Sequence, residues 1–334
     1  MIYSKSKKKI LVYGNFYQGN LAHELVERLN EIKNYNLMGF DRLSHLEPYN
    51  IRLIKLIFRY LLIPFSRFIL NICLILKIHF YKPDIFIAIK GLDIYPIIFR
   101  FFPKTIKKIN WNLDDFENMK NSDNNLIQSI KQYDLIISPK KELFNRYETI
   151  GAKKLLFIEN YYLKSYHKDL KLKQLYNISF VGSWSKKREK FIRSVSEKYK
   201  VHVFGDSWSK VKCNKNLVCN ENVEQHQYVE IVNQSKISLN FFTDENNDTS
   251  NLRLFEVPAC KGLILSEFSK RASEILTPNK DAFFFKNENE LIEKISFILN
   301  MKEIELNKIR INGYKKIKSF DLNYRIEEVL NVII

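Results

Sequence analysis

Two successive series of short apolar strands, each strand followed by a helical pattern, constrain the fold more than any other feature. The first series consists of apolar segments at 9–13, 37–40, 85–89, 106–111, 135–138 and 155–159. The second restarts at 178–181 and continues at 201–204, 237–241, 263–265 and 283–285. Strands that alternate with helices predict parallel sheets covered by helices on both faces. A chain of 334 residues is long enough for two such α/β domains but short for three.

We therefore expect two Rossmann-like domains that face each other across a cleft, at residues 1–165 and 166–315. A closing helical segment at 316–334 is expected to pack back towards the first domain. The irregular stretch from Tyr161 to Tyr176 forms the joint. Because ligands bind such sheets beyond the carboxyl ends of the strands, the cleft is the predicted site.

The charge balance is strongly basic. Lys and Arg number 54 and Asp and Glu 37, which gives a formal net charge of +17. Such an excess favours anionic partners, namely nucleic acid, anionic lipid headgroups or phosphorylated metabolites. Nucleic acid is not the expected partner, because no motif interleaves basic and aromatic residues on one face.

The segment 51–81 is rich in Leu, Ile and Phe and is punctuated by basic residues. These are Arg52, Lys55, Arg59, Arg67 and Lys77. Its longest weakly charged part, Tyr60–Leu76, is near the lower limit of a membrane span and contains Pro64. The composition favours an amphipathic helix over a span. Such a helix either lies on an anionic membrane face or is a buried helix of the domain, and the sequence leaves both interpretations open.

The cysteines predict neither a secreted disulfide framework nor a zinc site. They are Cys73, Cys213, Cys219 and Cys260. Cys213 and Cys219 have no second pair at ligand spacing, and Ser4 to Lys9 is too polar for a signal peptide. We therefore expect a cytoplasmic protein, peripheral on the inner face of the cell membrane if 51–81 docks there.

The residues that indicate chemistry are concentrated in 248–262, a polar loop followed by a helical pattern. Ser250 or Asn251 is expected to cap that helix, whose N-terminus would present backbone N–H groups to a phosphate. Arg253 adds a cation near that end, and Glu256 can accept hydrogen bonds from a ribose diol. The alternative is an amphipathic core helix on which Arg253 and Glu256 form a surface ion pair.

The segment 251–265 reads Asn-Leu-Arg-Leu-Phe-Glu-Val-Pro-Ala-Cys-Lys-Gly-Leu-Ile-Leu. It resembles the Arg-x-Phe-Glu-x-x-Ala-x-Gly signature of GT-B glycosyltransferases and is most similar to the branch that includes the spore-maturation CgeB-like proteins. Other segments resemble the same branch over most of the chain. They are Val181–Ser183 with Lys187 and Arg188, Trp111–Asp115, Tyr133–Ser138 with Tyr147 and Gly151–Ala152, and the pair Tyr324–Arg325.

The resemblance implies that the C-terminal domain binds a nucleotide-sugar donor, with Glu256 on the ribose. The other implied donor-binding residues are Arg253, Asn251, Gly182, Ser183, Lys187 and Arg188. Asp248 takes the place of the first acidic residue in the Glu-x7-Glu pattern of related retaining enzymes, which contacts the donor sugar. GT-B enzymes generally stabilise the leaving diphosphate with cationic side chains and helix termini. The resemblance therefore implies no metal and no cofactor besides the nucleotide-sugar co-substrate.

The loop 14–19 resembles the first loop of GT-B enzymes, which usually borders the acceptor, so Gly14 and Asn15 are candidates for the acceptor side. It is not a dinucleotide fingerprint, because Gly14-Asn-Phe-Tyr-Gln-Gly19 lacks the Gly-x-Gly core. His23 is a candidate general base, since imidazole titrates near neutrality, or else a packed or surface residue. Asp114 and Asp115 are candidates for a base or for orienting acceptor hydroxyls, or else a helix-capping pair.

The predicted function is transfer of a sugar from a nucleotide-sugar donor to a saccharide or lipid-linked acceptor. The expected setting is the synthesis of a cell-surface polysaccharide or glycoconjugate. One alternative is another GT-B enzyme, such as a nucleotide-sugar epimerase or hydrolase. The other is a non-catalytic basic protein that binds nucleic acid or an anionic membrane.

Overall fold

The computed structural model describes residues 7–31, 35–46, 63–244 and 249–333. The chain divides into two compact units, Met1–Glu159 and Asn160–Ile334. The units thus divide after residue 159, whereas the predicted boundary follows residue 165, because hydrogen bonds join Tyr162 to the C-terminal segment. The Tyr162 N–H donates to the Phe320 carbonyl at 3.1 Å, and the Leu322 N–H donates to the Tyr162 carbonyl at 3.0 Å. The joint and the closing helices therefore belong to one unit.

The first unit is built on a six-stranded parallel sheet of order β2-β1-β3-β4-β5-β6. Its strands are β1 (Lys8–Gly14), β2 (Tyr35–Asp41), β3 (Ile85–Ile89), β4 (Lys107–Trp111), β5 (Leu135–Ser138) and β6 (Leu155–Phe157). All of these strands are predicted from the sequence. β3 is buried along its whole length, as expected for a parallel strand covered on both faces.

Five α-helices and three 3₁₀ helices accompany this sheet in the described residues. The α-helices are α1 (Leu21–Glu31), α2 (Arg42–Leu46), α3 (Ile63–Tyr81), α4 (Asn124–Ser129) and α5 (Phe144–Thr149). The 3₁₀ helices are Pro96–Phe101, Ile130–Gln132 and Lys141–Leu143. Helix α3 covers part of the predicted amphipathic segment, whereas residues 51–62 lie outside the described residues. None of the helices in the described ranges has both the length and the apolar character that crossing a membrane requires.

The second unit contains another six-stranded parallel sheet, of order β12-β11-β10-β7-β8-β9. Its strands are β7 (Tyr176–Val181), β8 (Val201–Phe204), β9 (Leu217–Asn220), β10 (Ser235–Asn240), β11 (Ile264–Glu267) and β12 (Phe283–Phe285). The prediction misses β9, a four-residue edge strand of which only Leu217 is fully buried. An edge strand with one buried residue leaves little hydrophobic pattern in the sequence.

Seven α-helices and two 3₁₀ helices belong to the described part of this unit. The α-helices are α6 (Lys186–Ser196), α7 (Gln225–Asn233), α8 (Arg253–Ala259), α9 (Lys270–Ile275), α10 (Glu288–Asn300), α11 (Glu303–Ile317) and α12 (Leu322–Ile333). The 3₁₀ helices are Trp208–Lys210 and Lys318–Phe320. One face of the sheet packs an aromatic cluster of Phe180, Phe191, Phe241 and Phe285 with α6 and α10.

At the cysteines the structure differs from the sequence analysis, because Cys213 and Cys219 pair as a disulfide with their Cα atoms 6.5 Å apart. The turn before β9 brings them together. In that turn the Asn214 Oδ1 accepts the N–H groups of Asn216 and Leu217, both at 2.8 Å. The side chain of Asn214 thus folds the chain back on itself, which the spacing of the cysteines does not indicate.

Candidate functional site

The carboxyl edge of the second sheet collects the loops that follow β7, β10 and β11, which are neighbours in the sheet. Gly182 and Ser183 follow β7, Phe241 follows β10, and Glu267 ends β11. Parallel α/β sheets bind ligands at this edge. The structure therefore places two predicted donor-binding residues, Gly182 and Ser183, at the edge where a donor is expected.

The turn after β7 is fixed by a close approach to the turn after β8. Gly205 has φ +146°, and a Cβ atom there would collide with the Gly182 carbonyl oxygen. That oxygen accepts a hydrogen bond from the Trp208 Nε1 at 2.8 Å, and the Gly182 N–H donates to the Phe204 carbonyl at 2.8 Å. Glycine at 205 thus lets the two turns meet, so the position of Ser183 is set by both.

Helix α6 begins at this edge and brings Arg188 onto both loops. The Ser185 Oγ caps the helix by accepting the Arg188 N–H at 3.2 Å. The Arg188 guanidinium donates to the Ser183 carbonyl at 2.8 Å and to the Phe241 carbonyl at 3.4 Å. Arg188 therefore joins the loops after β7 and β10 and leaves a cation between them.

Lys187, the neighbouring residue, lies between two carboxylates. Its Nζ is 2.8 Å from the Asp244 Oδ1 and 2.8 Å from the Glu267 Oε1. Partial burial disfavours the ammonium form, but the hydrogen bonds to these carboxylates outweigh burial and raise the pKa of Lys187. The amine is therefore protonated at neutral pH. Glu267 is not among the predicted site residues, because its contact with Lys187 joins residues that are far apart in the sequence.

Helix α8 carries the predicted pair Arg253 and Glu256. The Arg253 Nη1 is ion-paired with the Glu256 Oε2, and the guanidinium lies 4.0 Å over the ring of Tyr228 on α7. Glu256 is only 7% exposed, so the pair is not the surface ion pair of the alternative interpretation. Burial raises the pKa of Glu256, but the charge of Arg253 lowers it further, and the net shift is downward. Glu256 is therefore a buried, ionised carboxylate.

A histidine that sequence analysis missed faces the same carboxylate. The Nε2 of buried His167 lies 3.7 Å from the Glu256 Oε1. Its Nδ1 accepts the Leu163 N–H at 3.0 Å, so the neutral ring carries its proton on Nε2, towards Glu256. His167 lies in the irregular joint between the two predicted domains, where no local pattern marks it.

The predicted cap of α8 by Ser250 or Asn251 is wrong. The N-cap residue is Leu252, and no side chain accepts a cap hydrogen bond. Asn251 instead exchanges hydrogen bonds with Asn240 at the end of β10, at 2.9 and 3.2 Å. For the Asn251 side chain, the amide of Asn240 is a better-placed hydrogen-bond partner than the backbone N–H groups in the first turn of the short helix α8. Asp248, the predicted sugar contact, lies outside the described residues.

In the first unit, the loop 14–19 is held by a buried carboxylate next to His23. Glu24 accepts the Gly19 N–H at 3.0 Å, and the His23 Nδ1 lies 3.4 Å from the same Oε1 atom. His23 itself is one-third exposed. A ring beside an orienting carboxylate has the arrangement of a general base. Gly14 serves packing, because a Cβ there would lie 2.7 Å from the Ala22 Cβ.

Asn15 belongs to a network around Asp93 that the sequence analysis missed. Asp93 follows β3 with φ +63° and is 1% exposed. It accepts from the Arg42 Nε at 2.6 Å, and its other oxygen lies 2.5 Å from the Arg67 Nε. Arg42 also donates to the Asn15 Oδ1 at 3.2 Å. The network thereby connects the predicted acceptor loop to α2, α3 and the end of β3.

The acidic pair Asp114 and Asp115 follows β4 and has two different surroundings. Asp114 is partly exposed and ion-paired with Lys90. Asp115 is 2% exposed, and its Oδ1 accepts the Glu117 N–H at 2.9 Å. This is a local turn hydrogen bond of the kind that Asp commonly makes, and it resembles the hydrogen bond expected of a capping residue. Of the two residues, Asp114 is therefore the one with a carboxylate towards solvent.

No cluster of three or more His, Cys, Asp or Glu side chains suited to holding a metal ion occurs among residues 7–31, 35–46, 63–244 and 249–333.

Comparisons with known proteins bear on both units. Residues 186–331 match the sequence profile of a family described as glycosyl transferase-like. No curated protein sequence matches the chain. Among solved structures, sucrose-phosphate synthase from Thermosynechococcus elongatus is similar, with a TM-score of 0.70 and 10% identity over 98% of both chains. A glycosyltransferase from Rickettsia africae has a TM-score of 0.64 and 13% identity, again over 98% of both chains.

Anabaena HepE, solved in complex with UDP and glucose, is similar with a TM-score of 0.63 and 10% identity, over 98% of this chain and 99% of that one. At such identities the likeness concerns the fold, which confirms the predicted GT-B class. The CgeB-like branch stays a prediction. The chain thus has the GT-B fold, and the profile match in its second unit supports the predicted nucleotide-sugar-dependent glycosyl transfer.

Proposed function

We propose that this protein transfers a sugar from a nucleotide-sugar donor, bound by the second unit, to a saccharide or lipid-linked acceptor. The observation that carries the proposal is the pair of cations Lys187 and Arg188 at the carboxyl edge of the second sheet, next to the Gly182–Ser183 turn. Negative charge builds on the departing nucleoside diphosphate during transfer, and preorganised cations stabilise it.

Glu256 is the proposed ribose ligand. Its carboxylate is buried and ionised, with Arg253 on one oxygen and His167 facing the other. A ribose diol would add its hydrogen bonds to a carboxylate whose orientation is already set. Such orientation by neighbours lowers the entropic cost of binding.

On the acceptor side, His23 beside Glu24 is the proposed base, with Asp114 as the second candidate. Either would take a proton from the acceptor hydroxyl as it attacks the anomeric carbon. Transfer without a metal ion is part of the proposal, because Lys187 and Arg188 supply the charge that a metal supplies elsewhere. UDP is the first nucleotide to test, since HepE, which has the same fold, was solved with UDP and glucose.

The test is thermal stability in the presence of UDP, GDP, dTDP, CDP and CMP. A ligand that binds only the folded protein at a hundredfold excess over its dissociation constant adds about 2.7 kcal/mol of stability. We expect one nucleoside diphosphate to stabilise the wild type, and Lys187→Ala and Glu256→Gln to lose that response. Lys190→Ala is the matched control, because Lys190 lies on the same helix but is exposed and paired with Glu288.

Well-folded protein that responds to none of the nucleotides would contradict the proposed donor site. A response that persists in both variants would place the nucleotide elsewhere. Product analysis with and without a saccharide acceptor then separates a transferase from a hydrolase or an epimerase, because only a transferase needs the acceptor to consume donor.

A further inference from the structure

Helix α3 has two faces with opposite surroundings. Its inner face is buried through Leu70, Leu74 and Ile78. Its outer face carries large apolar side chains three or four residues apart, with one adjacent pair, and each is between 39% and 82% exposed. We call them the apolar stripe: Phe65, Phe68, Ile69, Ile72, Leu76 and Phe80. A helix that serves only the core of its own domain normally carries polar side chains on the outer face.

The 3₁₀ helix Pro96–Phe101 lies beside α3 and adds to this apolar surface. Asn71 of α3 holds the start of that segment, since its Nδ2 donates to the Asp93 carbonyl at 2.9 Å and its Oδ1 accepts the Tyr95 N–H at 2.8 Å. Ile97 and Phe101 are exposed, at 49% and 56%. Exposed apolar side chains gathered on neighbouring elements indicate an interaction surface.

The charge of this region selects the partner. Residues 63–113 contain eight Lys and Arg and two acidic residues, Asp84 and Asp93. Three of the eight, Arg67, Lys90 and Lys108, are ion-paired, the last two with Asp114 and Asp134. Asp93 is buried under two arginines, so it does not offset the surface charge. Arg100 and Lys104 are exposed next to Ile97 and Phe101. Two copies of such a surface repel each other, whereas anionic lipid headgroups attract it.

We propose that the apolar stripe, together with Ile97 and Phe101, docks on an anionic lipid bilayer. Helix α3 then lies in the plane of the interface, with its outer face among the acyl chains and Arg100 and Lys104 at the headgroups. This deepens the proposed function, because it names the surface at which a lipid-linked acceptor is presented. The docking itself rests on the exposure and charge of α3 and not on the transfer reaction.

An ion-pair network links the docking helix to the predicted acceptor loop. Arg67, next to Phe68 of the apolar stripe, contacts Asp93, which accepts from Arg42, which donates to Asn15. Each step is a direct contact of 2.5 to 3.2 Å. A bilayer that holds α3 therefore also fixes the height of Asn15 above the headgroups, where the head of a lipid-linked acceptor lies.

The experiment is flotation of the full chain with vesicles of phosphatidylglycerol and phosphatidylcholine, and with phosphatidylcholine alone. We expect the wild type to bind the anionic vesicles at least tenfold more strongly than the neutral ones. Phe68→Ser/Ile72→Ser/Leu76→Ser should lower binding to anionic vesicles at least tenfold. The matched control is Phe297→Ser/Ile304→Ser, which removes side chains that are 55% and 78% exposed in the second unit, and should bind like wild type.

The proposal is overturned if the wild type does not float with anionic vesicles, or if the triple variant and the control bind equally. It is also overturned if the triple variant changes only the oligomeric state, because the stripe is then a contact between copies. If the triple variant fails to fold, Arg100→Gln/Lys104→Gln is tested instead, because it leaves α3 unchanged. This double variant should also weaken binding to anionic vesicles. Nucleoside diphosphate binding is measured on the same proteins without vesicles. Docking without a nucleotide response contradicts the proposed function alone, and a nucleotide response without docking contradicts this inference alone.

Discussion

Each unit contains a buried carboxylate held by arginine, but the two are held differently. Asp93 in the first unit has a separate arginine on each oxygen, Arg42 and Arg67. Glu256 in the second unit has Arg253 on one oxygen and the Nε2 of His167 facing the other at 3.7 Å. A carboxylate with an arginine on each oxygen is a structural tie, whereas one whose second oxygen faces only a ring nitrogen at 3.7 Å keeps capacity to accept hydrogen bonds from a ligand. This difference supports the proposal that Asp93 is a positioning residue and Glu256 a binding residue.

The largest expected effect is that of Asp93→Ala on stability. The change leaves two arginines without their shared buried carboxylate, and breaking a buried pair costs about 3–5 kcal/mol. Urea unfolding measures the free energy of unfolding. Glu117→Gln is the control, since Glu117 pairs with Arg146 at the surface, where little stability is at stake. If Asp93→Ala lowers the free energy of unfolding no more than Glu117→Gln does, Asp93 is not a structural tie.

Compared with Asp93→Ala, Glu256→Gln should have a smaller effect on stability and a larger effect on nucleotide binding. The amide keeps the shape of the side chain, and Arg253 retains its contact with Tyr228, so we expect a loss of about 1–3 kcal/mol of stability. The nucleoside diphosphate response should nevertheless disappear, whereas in Asp93→Asn it should persist if the protein folds. Calorimetric titration of both variants measures this difference. Equal loss of nucleotide binding in the two variants would mean that both carboxylates are structural.

The pH dependence of stability sharpens the role of Glu256. Its pKa is lowered in the folded protein, so its ion pair contributes stability above the unfolded pKa near 4.5 and loses it as the pH falls through the folded value. Wild-type stability should therefore decline below about pH 4.5. Glu256→Gln should decline less steeply in that range. Thermal melts between pH 3 and pH 7 test this, and parallel curves for the two proteins would contradict it.

The smallest expected effect concerns His167. His167→Asn keeps an acceptor for the Leu163 N–H but removes the N–H that faces Glu256, whereas His167→Gln can keep a donor towards it. We expect the Asn variant to weaken nucleotide binding by about threefold to tenfold, because Glu256 loses a polar neighbour that orients its carboxylate. The Gln variant should bind more tightly than the Asn variant. Identical dissociation constants for the two would mean that His167 does not orient the carboxylate.

Sequence patterns predict the strands because apolar runs are local, and the motif proposed to bind the donor is local as well. Apolar runs mark β1 to β8 and β10 to β12, and the Gly182–Ser183 turn and Lys187–Arg188 pair lie within one short stretch. The contacts that hold the two buried carboxylates in place join residues that are far apart in the sequence. Asp93 takes its arginines from two different helices, and Glu256 meets a histidine from the joint. Such residues carry no mark in the sequence, because their partners are chosen by the tertiary fold.

The failed cap of α8 has a similar cause. Asn251 has the side chain of a good cap, and propensity alone favours that role. Asn240 at the end of β10 offers it two hydrogen bonds instead, and the tertiary contact prevails. Local propensity thus predicts what a side chain is able to do, and the neighbouring strand determines what it does.

The two carboxylates around Lys187 set a threshold of charge for any anion that binds there. Asp244 and Glu267 occupy two of the three N–H donors of the ammonium group, so an incoming anion finds one donor left and competes with two carboxylates for the cation. Inorganic phosphate offers little more than the carboxylates with which it competes. In the proposed site a nucleoside diphosphate would add a second phosphate for Arg188 and a ribose for Glu256, and these additional contacts would favour its binding. In the proposed site, Lys187 therefore favours a nucleoside diphosphate over inorganic phosphate.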